Sequence, residues 1–118
     1  MSNNIETKEP RELLDMIVKK FHDAIEEDEG LRRDLKGYEK DITIDFTDAE
    51  SYYFSLRETD IGEIKEGNAE DSDITIHTDV ETLQKLIESR MKPMEAYARK
   101  KIKVDASFSD LLKLKDLL

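Results

Sequence analysis

The chain has 118 residues, 37% of them hydrophobic and 41% charged, which fits one domain (1–118) with a modest core and a heavily charged surface. It contains no cysteine, which excludes disulfides and thiolate metal sites. Its formal net charge of −10 opposes nucleic-acid binding, because that affinity comes mainly from neutralising phosphates.

The first twenty residues, MSNNIETKEPRELLDMIVKK, hold no uninterrupted apolar run and no small-residue cleavage site. Neither a signal peptide nor a membrane span is expected, and the expected location is cytoplasmic. Residues 1–8 are polar and expected to be flexible. A helix is predicted from Pro10, a residue suited to a first turn. Leu14, Ile17, Val18, Phe21 and Ile25 then recur at helical spacing, with Leu13 and Ala24 beside them, until the acids Glu26–Glu29 and then Gly30 close the run. A short helical turn over Leu31–Lys36 is expected before Gly37.

Strands follow. In Asp41–Thr47, Ile42, Ile44 and Phe46 alternate with polar residues, and in Ser51–Glu58 the set Tyr52, Phe54 and Leu56 shares one face. A third strand is expected over Glu63–Glu66 after the connection at Thr59–Gly62. Residues 67–72 (GNAEDS) read as a loop. Asp73–Thr78 alternates again and buries Ile74 and Ile76. The run Thr78-Asp79-Val80-Glu81 has the form of a capping box that starts a helix at Thr78, with Val80, Leu83, Leu86 and Ile87 as its buried stripe. Pro93 opens a second short helix to Arg99, Lys101–Asp105 is a fifth strand, and Ser107 caps a last helix to Leu118. Every strand alternates and none is continuously apolar. This predicts an α+β fold: a five-stranded, mostly antiparallel sheet covered on one face by helices and wet on the other.

The last helix carries Phe108, Leu111, Leu112, Leu114, Leu117 and Leu118. At about 100° per residue these cover well over half of the helix, whereas a helix lying on a sheet needs only a stripe. The surplus faces a cavity, a partner chain or a membrane surface, unless the helix simply closes the core with a frayed apolar end. Met91, Met94 and Tyr97 lie close in sequence, and methionine accommodates varied apolar partners. The charge is also uneven. Residues 1–84 hold 10 Lys and Arg against 24 Asp and Glu, and residues 85–118 hold 9 against 5. This is either an ordinary solvated surface or a basic face on an acidic body, in which Arg99, Lys100, Lys101 and Lys103 could meet an anionic membrane transiently.

Residues 73–118 resemble the sterol carrier protein 2 (SCP2) family. The resemblance rests on Asp73–Ile76, on Leu83 and Leu86, on Pro93, Met94, Ala96 and Tyr97, on Lys101–Val104, and on Leu111, Leu112 and Leu114. The upstream helix and three strands fit the family's order. The chain departs from the family at Lys100 and Ala106, where glycines usually flank the Lys-hydrophobic-Lys strand, and at Ser89–Lys92, where a glycine often precedes the proline. A lost glycine suggests a different local backbone. The resemblance implies an apolar tunnel between helices and sheet that binds fatty acyl chains, sterol-like molecules or other lipids, with transfer of the bound lipid as a further implied role. Its implied lining is Leu83, Leu86, Ile87, Met91, Met94, Tyr97, Phe108, Leu111 and Leu112.

Motifs for catalysis are missing: there is no GxSxG, P-loop, GxGxxG or HExxH, and the four glycines are scattered. His22 and His77 lack metal-ligand spacing, and the acidic loop at Glu70–Asp73 lacks the EF-hand pattern. No catalytic residue, metal or cofactor is expected. The expectation is a lipid-binding protein that is not an enzyme, monomeric or homodimeric. The alternative is an interaction domain that dimerises through its apolar C-terminal helix.

Overall fold

A computed structural model describes residues 7–117, with side chains to Lys113. The expected flexibility of residues 1–8 falls largely outside this range, as do the side chains of Leu114, Leu117 and Leu118.

Helix α1 (Pro10–Glu27) starts on its proline and buries Leu13, Leu14 and Ile25. Met16, Ile17, Val18 and Phe21 pack against the core while partly exposed. The helix ends before Gly30, at Glu27, because Asp28 begins a new one: its carboxylate accepts the Leu31 N–H at 3.1 Å. A short acceptor at this position satisfies one of the unpaired first-turn donors. Helix α2 (Glu29–Asp34) therefore runs through Gly30, two residues earlier than the spacing suggests.

The sheet comprises β1 (Glu39–Phe46), β2 (Tyr52–Arg57), β3 (Asp60–Ile61), β4 (Lys65–Glu66), β5 (Ile74–Thr78) and β6 (Ile102–Asp105). Of the expected third strand Glu63–Glu66 only Lys65–Glu66 forms, as β4. Strand β3 lies inside the expected connection Thr59–Gly62, where the chain turns back at once to pair Ile61 with Leu56; both pieces pair with β2. Six strands therefore replace five. The order is β3-β2-β1-β5-β6, and only the central β1–β5 pair is parallel. The fold class is as expected: α+β, mixed and mostly antiparallel. Register places Ile42 beside Phe54 and Ile74, and Ile44 beside Tyr52 and Ile76. Side chains directly opposite one another share a face, so these form the covered side.

Helix α3 (Val80–Ile87) follows β5. Its N-cap is Asp79 rather than Thr78: Asp79 accepts both the Thr82 N–H and the Thr82 hydroxyl at 2.8 Å. Thr78 belongs to the sheet, and its hydroxyl donates to the Lys101 carbonyl at 2.9 Å. Helix α4 (Pro93–Ala98) and helix α5 (Phe108–Leu117) flank β6. Ser107 caps α5 as expected, accepting the Asp110 N–H at 3.1 Å. The core joins Leu13 and Leu14 of α1, Val80, Leu83 and Ile87 of α3, and the covered faces of β1, β2 and β5. The other face is not uniformly wet. Thr43 is buried there, its hydroxyl in contact with that of Ser72 from the 67–72 loop. No helix among the described residues is long and apolar enough to cross a membrane.

Candidate functional site

The helical cover thins across the sheet. One cross-strand row runs Tyr52–Ile44–Ile76–Val104. Tyr52 and Ile44 are buried, whereas Ile76 and Val104 are only partly so. Ile102, opposite buried Thr78, is also half-exposed. The apolar face at the β5–β6 end thus extends beyond the tight core.

The side chains expected to contact ligand divide into three groups. Leu83 and Ile87 are in the core, Leu86 and Met91 are half-buried, and the rest lie on the surface. Relative exposure is 74% for Met94, 63% for Tyr97, 76% for Phe108, 49% for Leu112 and 40% for Leu111. For Phe108, Leu111 and Leu112 the apolar surplus on α5 is therefore solvent-facing rather than packed. Helix α4 enters β6 and α5 leaves it, so these two exposed sets stand at opposite ends of a four-residue strand, about 13 Å long at 3.3 Å per residue.

Polar groups hold α5 in place. Asp110, buried on α5, accepts the Tyr38 hydroxyl at 2.8 Å and pairs with Lys40 Nζ at 3.3 Å. Lys40 has the strand parity of Ile42, so it reaches α5 from the covered face. Lys113 donates to the Asp34 carbonyl at 2.8 Å, and both Lys40 and Lys113 lie over the Tyr38 ring, at 5.4 and 5.6 Å. Burial pushes the Asp110 carboxyl up, but hydrogen bonds from Tyr38, Lys40 and Ser107 outweigh it, so the group titrates below its usual range. Tyr38 moves the other way: burial, and then its bond to the Asp110 carboxylate, raise its pKa. Sequence reasoning did not find this latch. Ser107-x-x-Asp110 signals only a local cap, and Tyr38 lies 72 residues away.

On the opposite face, His77 Nδ1 lies 2.9 Å from Asp45 and Nε2 lies 2.9 Å from Asp105. Ser51 donates to Asp45 at 2.7 Å, and Ser55 donates to Asp41 at 2.8 Å. Asp45 is held below the usual carboxylate range chiefly by Ser51, against some burial and with help from His77. Both imidazole nitrogens face carboxylates and both serine hydroxyls are bound to aspartates. Neither serine is paired with the base that nucleophilic catalysis requires. The array ties β1, β5 and β6 together. Among the described residues, no three His, Asp or Glu side chains are grouped to hold a metal ion.

Three surface clefts are polar or mixed. One of about 390 Å³ is lined by Glu29, Arg32, Arg33, Lys36, Glu58 and Thr59. Another of about 330 Å³ is lined by Thr7, Asp48, Val80, Glu81, Gln84 and Arg90. The third, about 200 Å³, lies along β2 at Tyr53–Ser55. None includes the side chains expected to contact lipid.

Two of the positions at which the family often carries glycine have left-handed backbone here. Ser89 has φ 60° and Lys100 has φ 59°, the left-handed conformation that glycine adopts freely. The turns into α4 and into β6 keep a glycine-like geometry with bulkier residues in place.

The chain resembles several solved structures. A sterol carrier protein domain 2 of Helicoverpa armigera aligns with TM-score 0.62 at 20% identity, covering 95% of this chain and 91% of that one. A palmitated SCP2-like protein from Aedes aegypti aligns with TM-score 0.61 at 13% identity, covering 88% and 92%. An inverting sec-alkylsulfatase from Pseudomonas sp. aligns with TM-score 0.57 at 17% identity over 72% of this chain, which spans only 13% of that enzyme. No curated protein matches. These likenesses show the fold. The family described as the SCP-2 sterol transfer family matches residues 18–118. The chain belongs to the SCP-2 sterol transfer family.

Proposed function

We propose that residues 1–118 act as one non-catalytic domain that binds fatty acyl chains, sterol-like molecules or other lipids on the β5–β6 side of the covered sheet face. Membership of the SCP-2 family supports lipid or sterol binding in general. The observation that carries the more specific reading is the unspent apolar surface of α5: Phe108, Leu111 and Leu112 remain exposed while Ile76 and Val104 beneath the cover are only partly buried. The proposed contact set is Leu83, Leu86, Ile87, Met91, Met94, Tyr97, Phe108, Leu111 and Leu112. The related mosquito protein solved in palmitated form fits a fatty acyl ligand.

The energetics suit a loose carrier. Moving a chain of about 16 carbons out of water gains roughly 12 kcal/mol at 0.8 kcal/mol per CH₂, against an association cost of about 4–15 kcal/mol. Apolar contact discriminates weakly, since one methylene is worth only about 1–3 kcal/mol. Native mass spectrometry of gently purified protein, with displacement of a fluorescent fatty acid, tests the reading. Co-purified or exchangeable lipid supports it, and repeated absence of both removes it.

The same exposed α5 residues also serve the second reading, dimerisation. Exchanging Phe108 and Leu112 for serine separates the two. Loss of a dimer with lipid binding intact favours the interaction domain, and the reverse favours the carrier.

A further inference from the structure

Helix α4 is a six-residue helix whose single buried side chain is Ala96. Met94 and Tyr97 stand one turn apart, so they share one helix face, and both are largely exposed. Around them the segment Lys92–Lys101 carries Lys92, Arg99, Lys100 and Lys101 against one acid, Glu95. Arg99 is paired with Glu95 at 3.4 Å. Lys92, Lys100 and Lys101 have no ion-pair partner among the described residues, and all three are exposed. Lys100 sits at the tip of the α4–β6 turn in a left-handed conformation that keeps this corner tight. The rest of the protein is strongly acidic, with 24 Asp and Glu against 10 Lys and Arg in residues 1–84.

We infer that the α4 corner is a docking foot for an anionic bilayer surface. The charge partition selects the occupant and the orientation: the acidic body is repelled by anionic headgroups, and the α4 corner is attracted to them. The interleaved Met94 and Tyr97 distinguish a bilayer from a soluble polyanion. A thioether and a phenol have apolar bodies to bury at the headgroup level, and a tyrosine keeps its hydroxyl wet there. Docking here holds the entrance of β6, and with it the half-covered Ile76 and Val104, close to the lipid. The inference extends the lipid-binding reading by naming the surface that meets the membrane. Met94 and Tyr97 belong to the proposed lipid contact set as well, whereas Lys100 and Lys101 lie outside it, so the lysine variants make the two ideas fail separately.

The chain has no tryptophan, so Tyr97→Trp supplies a single reporter. Flotation and fluorescence are measured with vesicles of phosphatidylcholine alone and with about 30% phosphatidylserine, at low and high salt, and with soluble polyglutamate. The expected result is association and a blue shift with the anionic vesicles only, weakened by salt. Lys100→Glu with Lys101→Glu should lower partitioning at least ~25-fold, taking about fivefold per basic residue near the surface, while fatty-acid binding in solution is retained. Met94→Ser with Tyr97→Ser should also abolish flotation. All four side chains are exposed, and circular dichroism confirms that the variants fold. Equal binding to neutral vesicles, binding to polyglutamate but not vesicles, or unchanged flotation of the double-lysine variant would each overturn the inference.

Discussion

The Tyr38 hydroxyl donates to the Asp110 carboxylate at 2.8 Å, joining the entrance of β1 to the first turn of α5. This bond and the Lys40 contact fix α5 by its polar side and leave its apolar side free. A helix held by a few polar contacts over a thinly covered sheet can shift without dismantling the core. Tyr38→Phe leaves Asp110 buried with one donor fewer. Hydrogen bonds to charged groups are worth about 1.5–3 kcal/mol, so stability should fall by up to that amount in urea denaturation. Amide exchange should quicken in Phe108–Leu112 more than in β1. Equal quickening in both would mean that the bond serves global stability rather than α5.

Acid should destabilise the fold through Asp41, Asp45 and Asp110. Their folded pKa values are depressed: by Ser55 and Arg57 at Asp41, by Ser51 and His77 at Asp45, and at Asp110 by three hydrogen bonds that outweigh burial. A depressed carboxylate contributes stability that is complete above its unfolded pKa, about 3.9, and is lost as pH falls through the lower folded value. Glu50, raised by Glu66, works in the opposite direction. Chemical denaturation should therefore show stability falling below about pH 4. Asp45→Asn should be less stable at pH 7 and should lose less stability on acidification than the parent.

Ser89→Gly and Lys100→Gly should each stabilise the protein. Both residues occupy φ near 60°, where an L side chain costs roughly 1 kcal/mol relative to glycine. A glycine also widens the unfolded ensemble, which offsets part of that gain. A net increase of about 0.5 kcal/mol per site is expected in thermal or urea melts. Glu58, at φ 56°, is the control: its carboxylate accepts the Gly37 N–H at 2.6 Å. Glu58→Gly loses that bond and should bring no gain.

Leu13 and Leu112 should respond in opposite ways. Leu13 is fully buried, so Leu13→Ala should cost about 2–5 kcal/mol. Leu112→Ser removes a half-exposed side chain and should change stability by less than about 0.5 kcal/mol, yet weaken fluorescent fatty-acid binding severalfold. A large stability loss in Leu112→Ser would show that α5 is core and not ligand surface.

The amphipathic stripe of α1, the period-two strands β1, β2, β5 and β6 and the Ser107 cap were legible in the amino-acid sequence, because each depends on neighbours within a few residues, whereas the two-residue strands β3 and β4 are too short to show a period. So was the apolar surplus on Phe108, Leu111 and Leu112. Where local signals competed, tertiary pairing decided. Thr78 looks like a cap, but sheet register claims it and Asp79 caps instead. The parallel β1–β5 pairing, the half-cover over Ile76 and Val104, and the Tyr38–Asp110 and Asp45–His77–Asp105 contacts join residues far apart in the chain. No periodicity encodes such pairs. They arise only when packing brings distant segments together, since a polar side chain then removed from water must find its partner there.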